Sequence, residues 1–306
     1  MANLLKTEQS DFVSRENPPE ADANGVYGTQ AAVIMFQMCV ACLRDAQKKW
    51  TDLLESEFRK QVERPQEGAD GLVDYVIAVA NDHLRCGEFA EGIARRMDRV
   101  IEDACKPRMN EALNGCVDGF MKVARHADQI LIDIAFHDVR GVFAQLFTGP
   151  WYDGDLMSLI ILTLNDYLTD YQQHLQEYLL SKLTGDMLDR FLASYIEAMR
   201  NKGSKFRIPA ALDRMTADIA MSVEFFSRFK SAKRVEKAFD VLHKLQTLLG
   251  SSKKMVFLDY YSLKKAYNDV PLAFVEDILS KRDDMDKASL KDAMESIRAK
   301  AKEEPI

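Results

Sequence analysis

Three aspartates, Asp283, Asp284 and Asp286, fall within four residues near the end of this 306-residue chain. Aspartate-rich helices of that kind hold magnesium-diphosphate in some all-helical enzymes, an alternative that makes the chain such an enzyme. That chemistry requires carboxylates one turn apart facing a cavity, with a second acidic cluster opposite, and the sequence provides neither. Asp284 or Asp286 is instead expected to cap the helix through Leu290, Met294 and Ile297, where an anion is favoured. On that helix, Lys291 with Glu295 and Glu295 with Arg298 are spaced to pair.

Cys39 and Cys42 have the spacing of a redox pair or half a zinc site. They fall in mid-helix, and no second Cys or His pair completes a tetrahedral set. All five cysteines, with Cys86, Cys105 and Cys116, are therefore expected to be reduced packing residues. His126 and His137 stand three helical turns apart, too far to share one ion, and His83 and His174 lie on other segments. Ser251-Ser252-Lys253-Lys254 lacks the strand and glycine pattern of a phosphate loop and reads as a helix start. The expectation is no catalytic residue, no metal and no cofactor.

The elements that carry these residues are helical by periodicity. The chain is 47% apolar and 29% charged, with only 14 Gly and 8 Pro, a composition that favours helices with short connections. In its middle, Ile160, Leu164, Tyr167, Tyr171, Leu175 and Tyr178 form one stripe at helical steps. A second stripe, Met187, Leu188, Phe191, Leu192, Tyr195, Ile196 and Met199, follows Gly185, which invites a bend. A helix held from Asp155 to Asn201 would span roughly 70 Å. Upstream, helices are expected from Thr29 to about Val62, from Asp70 to Glu88, and from Phe89 after Gly87 to about Ala104. Two more apolar faces run to His126 and from Ile130 to Gly149-Pro150. Downstream, Asn201 to Arg207 breaks the rod, Pro209 opens a helix through Phe226 that ends at Phe229, and Val235 to Leu249 makes another. Residues 1–28 read as an extended lead-in, 29–150 as a first bundle and 151–306 as a second. The fold class is all-α, an elongated rod of stacked antiparallel helical bundles.

Charge is uneven. Residues 1–150 hold 17 Lys+Arg against 24 Asp+Glu, whereas residues 200–265 hold 15 basic against 6 acidic. The basic residues Lys202, Lys205, Arg207, Arg228, Lys230, Lys233, Arg234 and Lys237 form a belt suited to an acidic protein or an anionic membrane surface. No nucleic-acid partner is expected. The chain has no run of 18 apolar residues and no signal-peptide pattern, so a cytoplasmic or membrane-peripheral place is expected.

The run Phe147-Thr148-Gly149-Pro150-Trp151-Tyr152, then Asp166 to Asp170, Leu188 to Leu192 and Asn201-Lys202-Gly203 with Lys205-Phe206, resembles a known family. It is similar to the C-terminal region of the exocyst complex third component, the "secretory six" subunit family. Met255 to Tyr260 and Pro271 to Asp284 read like the fungal-type members. The resemblance covers most of the chain and is strongest from Phe147 onward. Family subunits are longer at the N-terminus, so the chain is expected to be a C-terminal portion without the coiled coil and first bundles. The resemblance implies a non-enzymatic helical subunit that binds other exocyst subunits and plasma-membrane SNARE proteins. It also implies a role in tethering secretory vesicles, at the plasma membrane where secretion occurs. The basic belt is then the expected SNARE surface, with a weak contact to anionic membrane as a further expectation.

Overall fold

The computed structural model describes residues 25–63, 71–98 and 101–303, with side chains placed over 33–34, 37–60, 71–95, 98 and 101–299. The lead-in lies outside these residues up to position 24. Among them are eleven α-helices: α1 (Gly25–Glu63), α2 (Leu72–Met97), α3 (Lys106–Phe143), α4 (Gly149–Asp153), α5 (Leu156–His174), α6 (Glu177–Ala198), α7 (Ala210–Ser227), α8 (Ala232–Gly250), α9 (Val256–Ala266), α10 (Leu272–Ser280) and α11 (Lys287–Glu303). The all-α class stands.

Two compact units divide the chain, each drawing on two stretches of sequence. One takes the described part of Met1–Asp133 with Tyr171–Leu180; the other takes Ile134–Asp170 and Ser181–Ile306.

The first unit has a core of mostly small and aliphatic side chains, Val33 and Val40 of α1, Cys86 and Ala90 of α2, and Met109 and Cys116 of α3, together with the ring of Phe120 of α3. Gly87 does not end a helix. It is buried in mid-α2, because an interior glycine costs only about 1 kcal/mol of helix propensity and close packing offsets it. No break occurs at His126 either, and α3 runs on through it. Cys86 and Cys116 are buried as expected, but Cys39 and Cys42 are exposed, because α1 turns Val33 and Val40 inward instead. His83 packs its ring against Trp50 and Phe120 and bonds Val79 O through Nδ1 at 2.8 Å. Burial pushes its pKa below the ordinary imidazole value.

The second unit is built on aromatics. Phe147, at φ 63° in the left-handed region that a bulky residue rarely adopts, lies fully buried. Its ring centroid is 4.7 Å from Trp151, 5.2 Å from Tyr195 and 5.4 Å from Phe206. Trp151 Nε1 donates to Asp218 Oδ2 at 2.8 Å, and the Tyr195 hydroxyl donates to the same oxygen at 3.1 Å. Around this node α7 packs on α8, α8 on α9, and both α9 and α10 on α11.

The expected central helix is two helices. Gly185 stays helical inside α6, and the break falls at Leu175–Gln176, where no Gly or Pro stands. Asn81 makes that break: its Nδ2 donates to His174 O at 2.7 Å and its Oδ1 accepts from the Gln176 N–H at 2.9 Å. Beyond the break the stripe is rephased, so Leu179 is buried while Tyr178 is 47% exposed. The break expected at Asn201 to Arg207 follows directly on the end of α6 at Ala198.

Candidate partner-binding surface

The eight belt residues all lie in the second unit, and the fold sorts them into two groups. Lys202, Lys205 and Arg207 sit on the segment between α6 and α7; Arg228, Lys230, Lys233, Arg234 and Lys237 sit at the junction of α7 and α8. The 18 residues of α7 separate the groups, a length of roughly 27 Å at about 1.5 Å per residue. Except for Lys230, which is half-buried, all eight are exposed.

The first group is tied to the aromatic core through its backbone. Lys205 N–H donates to the carbonyl of Phe147 at 2.8 Å. The Tyr152 hydroxyl donates to Lys205 O at 2.8 Å and accepts from the Arg207 N–H at 3.0 Å. Arg207 lays its guanidinium 4.6 Å from the centre of the Tyr152 ring, a cation–π contact. Burial raises the Tyr152 phenol above its ordinary range, against the Arg207 hydrogen bond and charge. Phe206 exchanges backbone bonds with the tail, donating to Lys281 O at 2.9 Å and accepting from Asp283 N at 3.0 Å. The charges of Lys202, Lys205 and Arg207 are thus presented from a backbone fixed at several points.

The second group leans on α6. Lys230 donates to the carbonyl and, at 3.2 Å, to the hydroxyl of Ser181. Arg228 covers the rings of Phe225 and Phe229 at 5.1 and 5.8 Å from their centres. Lys182 of α6 comes close enough to lower the Lys230 pKa, after burial and Arg234 in order of size. Lys182 and Gly185 lie outside the belt as read from sequence, and only the approach of α8 to α6 brings them in.

The aspartates of the tail have separate structural tasks. Asp283 Oδ1 accepts from the Ile208 N–H at 3.0 Å and so anchors the first basic group. Asp284 takes a two-pronged ion pair from the buried Arg282, at 2.9 and 2.7 Å, and that bond holds its carboxyl below the usual range. Asp286 Oδ1 accepts from the Ser289 N–H at 2.7 Å, the capping expected ahead of α11. Lys291 pairs with Glu295 at 3.8 Å. Arg298 does not pair with Glu295; it reaches Glu276 Oε2 at 3.0 Å, because α10 packs beside α11. Among the described residues no three His, Cys, Asp or Glu side chains gather in a metal-holding group.

A model of the family described as exocyst complex component Sec6 matches residues 1–40 and 39–287 of the chain. The chain is similar to exocyst complex component sec6 of Schizosaccharomyces pombe at 27% identity, covering 96% of this chain and 43% of the relative. It is similar to SEC6 of Saccharomyces cerevisiae, also at 27%, covering 74% of this chain and 33% of the relative. It therefore spans less than half the length of these relatives. In three dimensions it is similar to the crystal structure of the C-terminal domain of the exocyst subunit Sec6p. The TM-score is 0.75 at 20% identity, with 99% of this chain and 87% of that chain covered, a likeness of fold.

Proposed function

We propose a vesicle-tethering function on one premise: the chain belongs to the Sec6 family of exocyst complex components. In this reading it is a non-catalytic helical subunit that binds other exocyst subunits and SNARE proteins of the plasma membrane. It works in the cytoplasm, peripheral to the plasma membrane at sites of secretion, and helps to tether secretory vesicles during exocytosis. The observation that carries the reading is the family match extending through residue 287, together with a helical fold that spaces its surfaces apart. Separated surfaces on one scaffold suit tethering, since modest contacts strengthen one another when their partners are held in a single assembly. No helix among the described residues is long and apolar enough to cross a membrane.

The basic groups are the proposed SNARE surface. SNARE helices are often acidic, and complementary charge speeds encounter and sets orientation. Contact with an anionic membrane surface adds a weak, salt-sensitive term. A pull-down of this chain with the other purified exocyst subunits and plasma-membrane SNARE proteins, at two salt concentrations, tests the function. Capture of a subunit or a SNARE is the expected result, and failure to capture any of them overturns it. Reversal to glutamate of Lys202, Lys205 and Arg207 in one variant, and of Lys230, Lys233, Arg234 and Lys237 in another, tests the surface. SNARE binding unchanged in both variants overturns the assignment of that surface.

A further inference from the structure

Gly185 is buried on the face of α6 that meets the α7–α8 junction. A Cβ built there would stand 3.3 Å from Arg234 Nη2 and 3.8 Å from Lys230 Nζ. Those distances hold the two cationic nitrogens within about 7 Å of each other, a gap that one phosphate bridges with two contacts of about 2.8 Å. The Ser181 carbonyl and hydroxyl fix Lys230 in this position. Arg234 and Lys182 both act on the Lys230 ammonium as like charges, and Asp186 only partly opposes them. Arg228, Lys233 and Lys237 are exposed at the same α7–α8 junction, and the first turn of α8 carries no acid. Among the described residues, none of Arg228, Lys233, Arg234 and Lys237 is in an ion pair.

Crowded cations of this kind repel one another until an anion of comparable charge density sits between them. An acidic helix brings one charge per side chain, with neighbours on a face about 5 to 6 Å apart. A phosphomonoester brings nearly two charges on three oxygens in one small group. We infer that Lys230 and Arg234, packed over Gly185, with Lys182 close to Lys230 and with Arg228, Lys233 and Lys237 exposed at the same α7–α8 junction, form a site for a multiply phosphorylated ligand of the inositol-phosphate class. The same chemistry is offered by a free inositol phosphate and by a phosphoinositide headgroup. The inference goes beyond the tethering reading, because it needs only this cluster and no protein partner.

Calorimetric titration of the chain with inositol hexakisphosphate tests it, followed by co-sedimentation with vesicles containing phosphatidylinositol bisphosphate or, at matched charge, phosphatidylserine. The double substitution Lys230→Gln and Arg234→Gln is expected to weaken binding about tenfold or more with the helical circular-dichroism signal unchanged. Lys202→Gln with Lys205→Gln is expected to leave it within about twofold. Gly185→Ala is the sharper variant: alanine is the better helix former, yet its methyl pushes Arg234 Nη2 aside. It is expected to bind about threefold more weakly with no loss of thermal stability. Preference for phosphoinositide over phosphatidylserine vesicles marks the lipid as source, and tight binding of the free ligand without that preference marks the soluble one. Either result supports the site. Binding governed by vesicle charge alone with no affinity for the free ligand overturns it, as does an affinity that the Lys230 and Arg234 substitutions leave unchanged. Capture of exocyst subunits by the double variant keeps a failure here distinct from a failure of the family reading.

Discussion

At its start α6 is opened by a side chain from another helix, and at its end it is closed by its own sequel. Asn81 of α2 bonds both His174 O and the Gln176 N–H, so the start depends on a residue 95 positions away from Gln176. At the other end the Ser204 hydroxyl reaches Met199 O at 2.9 Å and Asn201 O at 2.7 Å, while Asn201 Nδ2 reaches Ala144 O at 3.2 Å. One end is tertiary, and the other is closed mainly by its own sequel with a single longer tie from Asn201 to Ala144. The distinction bears on the proposed partner surface, because the locally closed end continues into the segment that displays Lys202, Lys205 and Arg207.

The local end still depends on the aromatic core beneath it, and Phe147→Ala is the largest test of that dependence. Phe147 packs on Trp151, Tyr195 and Phe206, and its carbonyl holds Lys205. Truncating a buried phenylalanine costs about 3 to 5 kcal/mol. A loss of stability of that size, read as a lower urea midpoint of unfolding, is expected, with faster amide exchange at Lys205. An exchange rate at Lys205 no faster than in the parent would show that the segment closes without the core.

Asp218 gives the same core a pH dependence. Burial pushes its carboxyl up to about 6, against the hydrogen bonds from Trp151 and Tyr195 and the charge of Arg214. An acid whose folded pKa exceeds its unfolded value of about 3.9 keeps its proton longer in the fold. The stability it contributes is therefore complete below about pH 4 and is lost as pH rises through about 6, an effect on the order of 2 to 3 kcal/mol. Asp218→Asn retains an acceptor for Trp151 and has no proton to lose. Its urea midpoint should gain on the parent between about pH 4 and 6.5. A difference that stays constant across that range would refute the assignment.

The start of α6 is tested by Asn81→Ala, which leaves the His174 carbonyl and the Gln176 N–H without their partner. A loss of roughly 1 to 3 kcal/mol is expected, with the Gln176 amide exchanging faster. Unchanged protection there would mean that packing of Leu175 and Leu179 makes the break without Asn81.

These two ends also mark how far the sequence could be read. Asn201, Gly203 and Pro209 carry their instruction in their own backbone preferences, so the end of α6 was legible. Leu175 and Gln176 carry none; the break is written in Asn81, whose relation to them exists only after folding. Gly87 and Gly185 misled for the converse reason, since a helical glycine is a modest cost that burial against a neighbour offsets. The basic residues were legible in kind and number. Their division into two groups was not, because it follows from the length of α7, and Lys182 joins the second only through the approach of α8 to α6.

Ser204→Ala is the smallest of these tests and the one most specific to the local end. The hydroxyl is buried and serves the carbonyls of Met199 and Asn201, just beyond the last turn of α6. Alanine removes both bonds but keeps the Cβ and the backbone, and the Ser204 N–H still donates to Asn201 O at 3.0 Å. A cost of about 1 kcal/mol is expected, read as a lower urea midpoint with an unchanged slope. If the proposed SNARE surface holds, the same variant should bind SNARE proteins as tightly as the parent, because Lys205 and Arg207 remain fixed by Phe147 and Tyr152. Weaker binding at equal stability would mean that the closing turn of α6, and not the aromatic core, sets the positions of these charges.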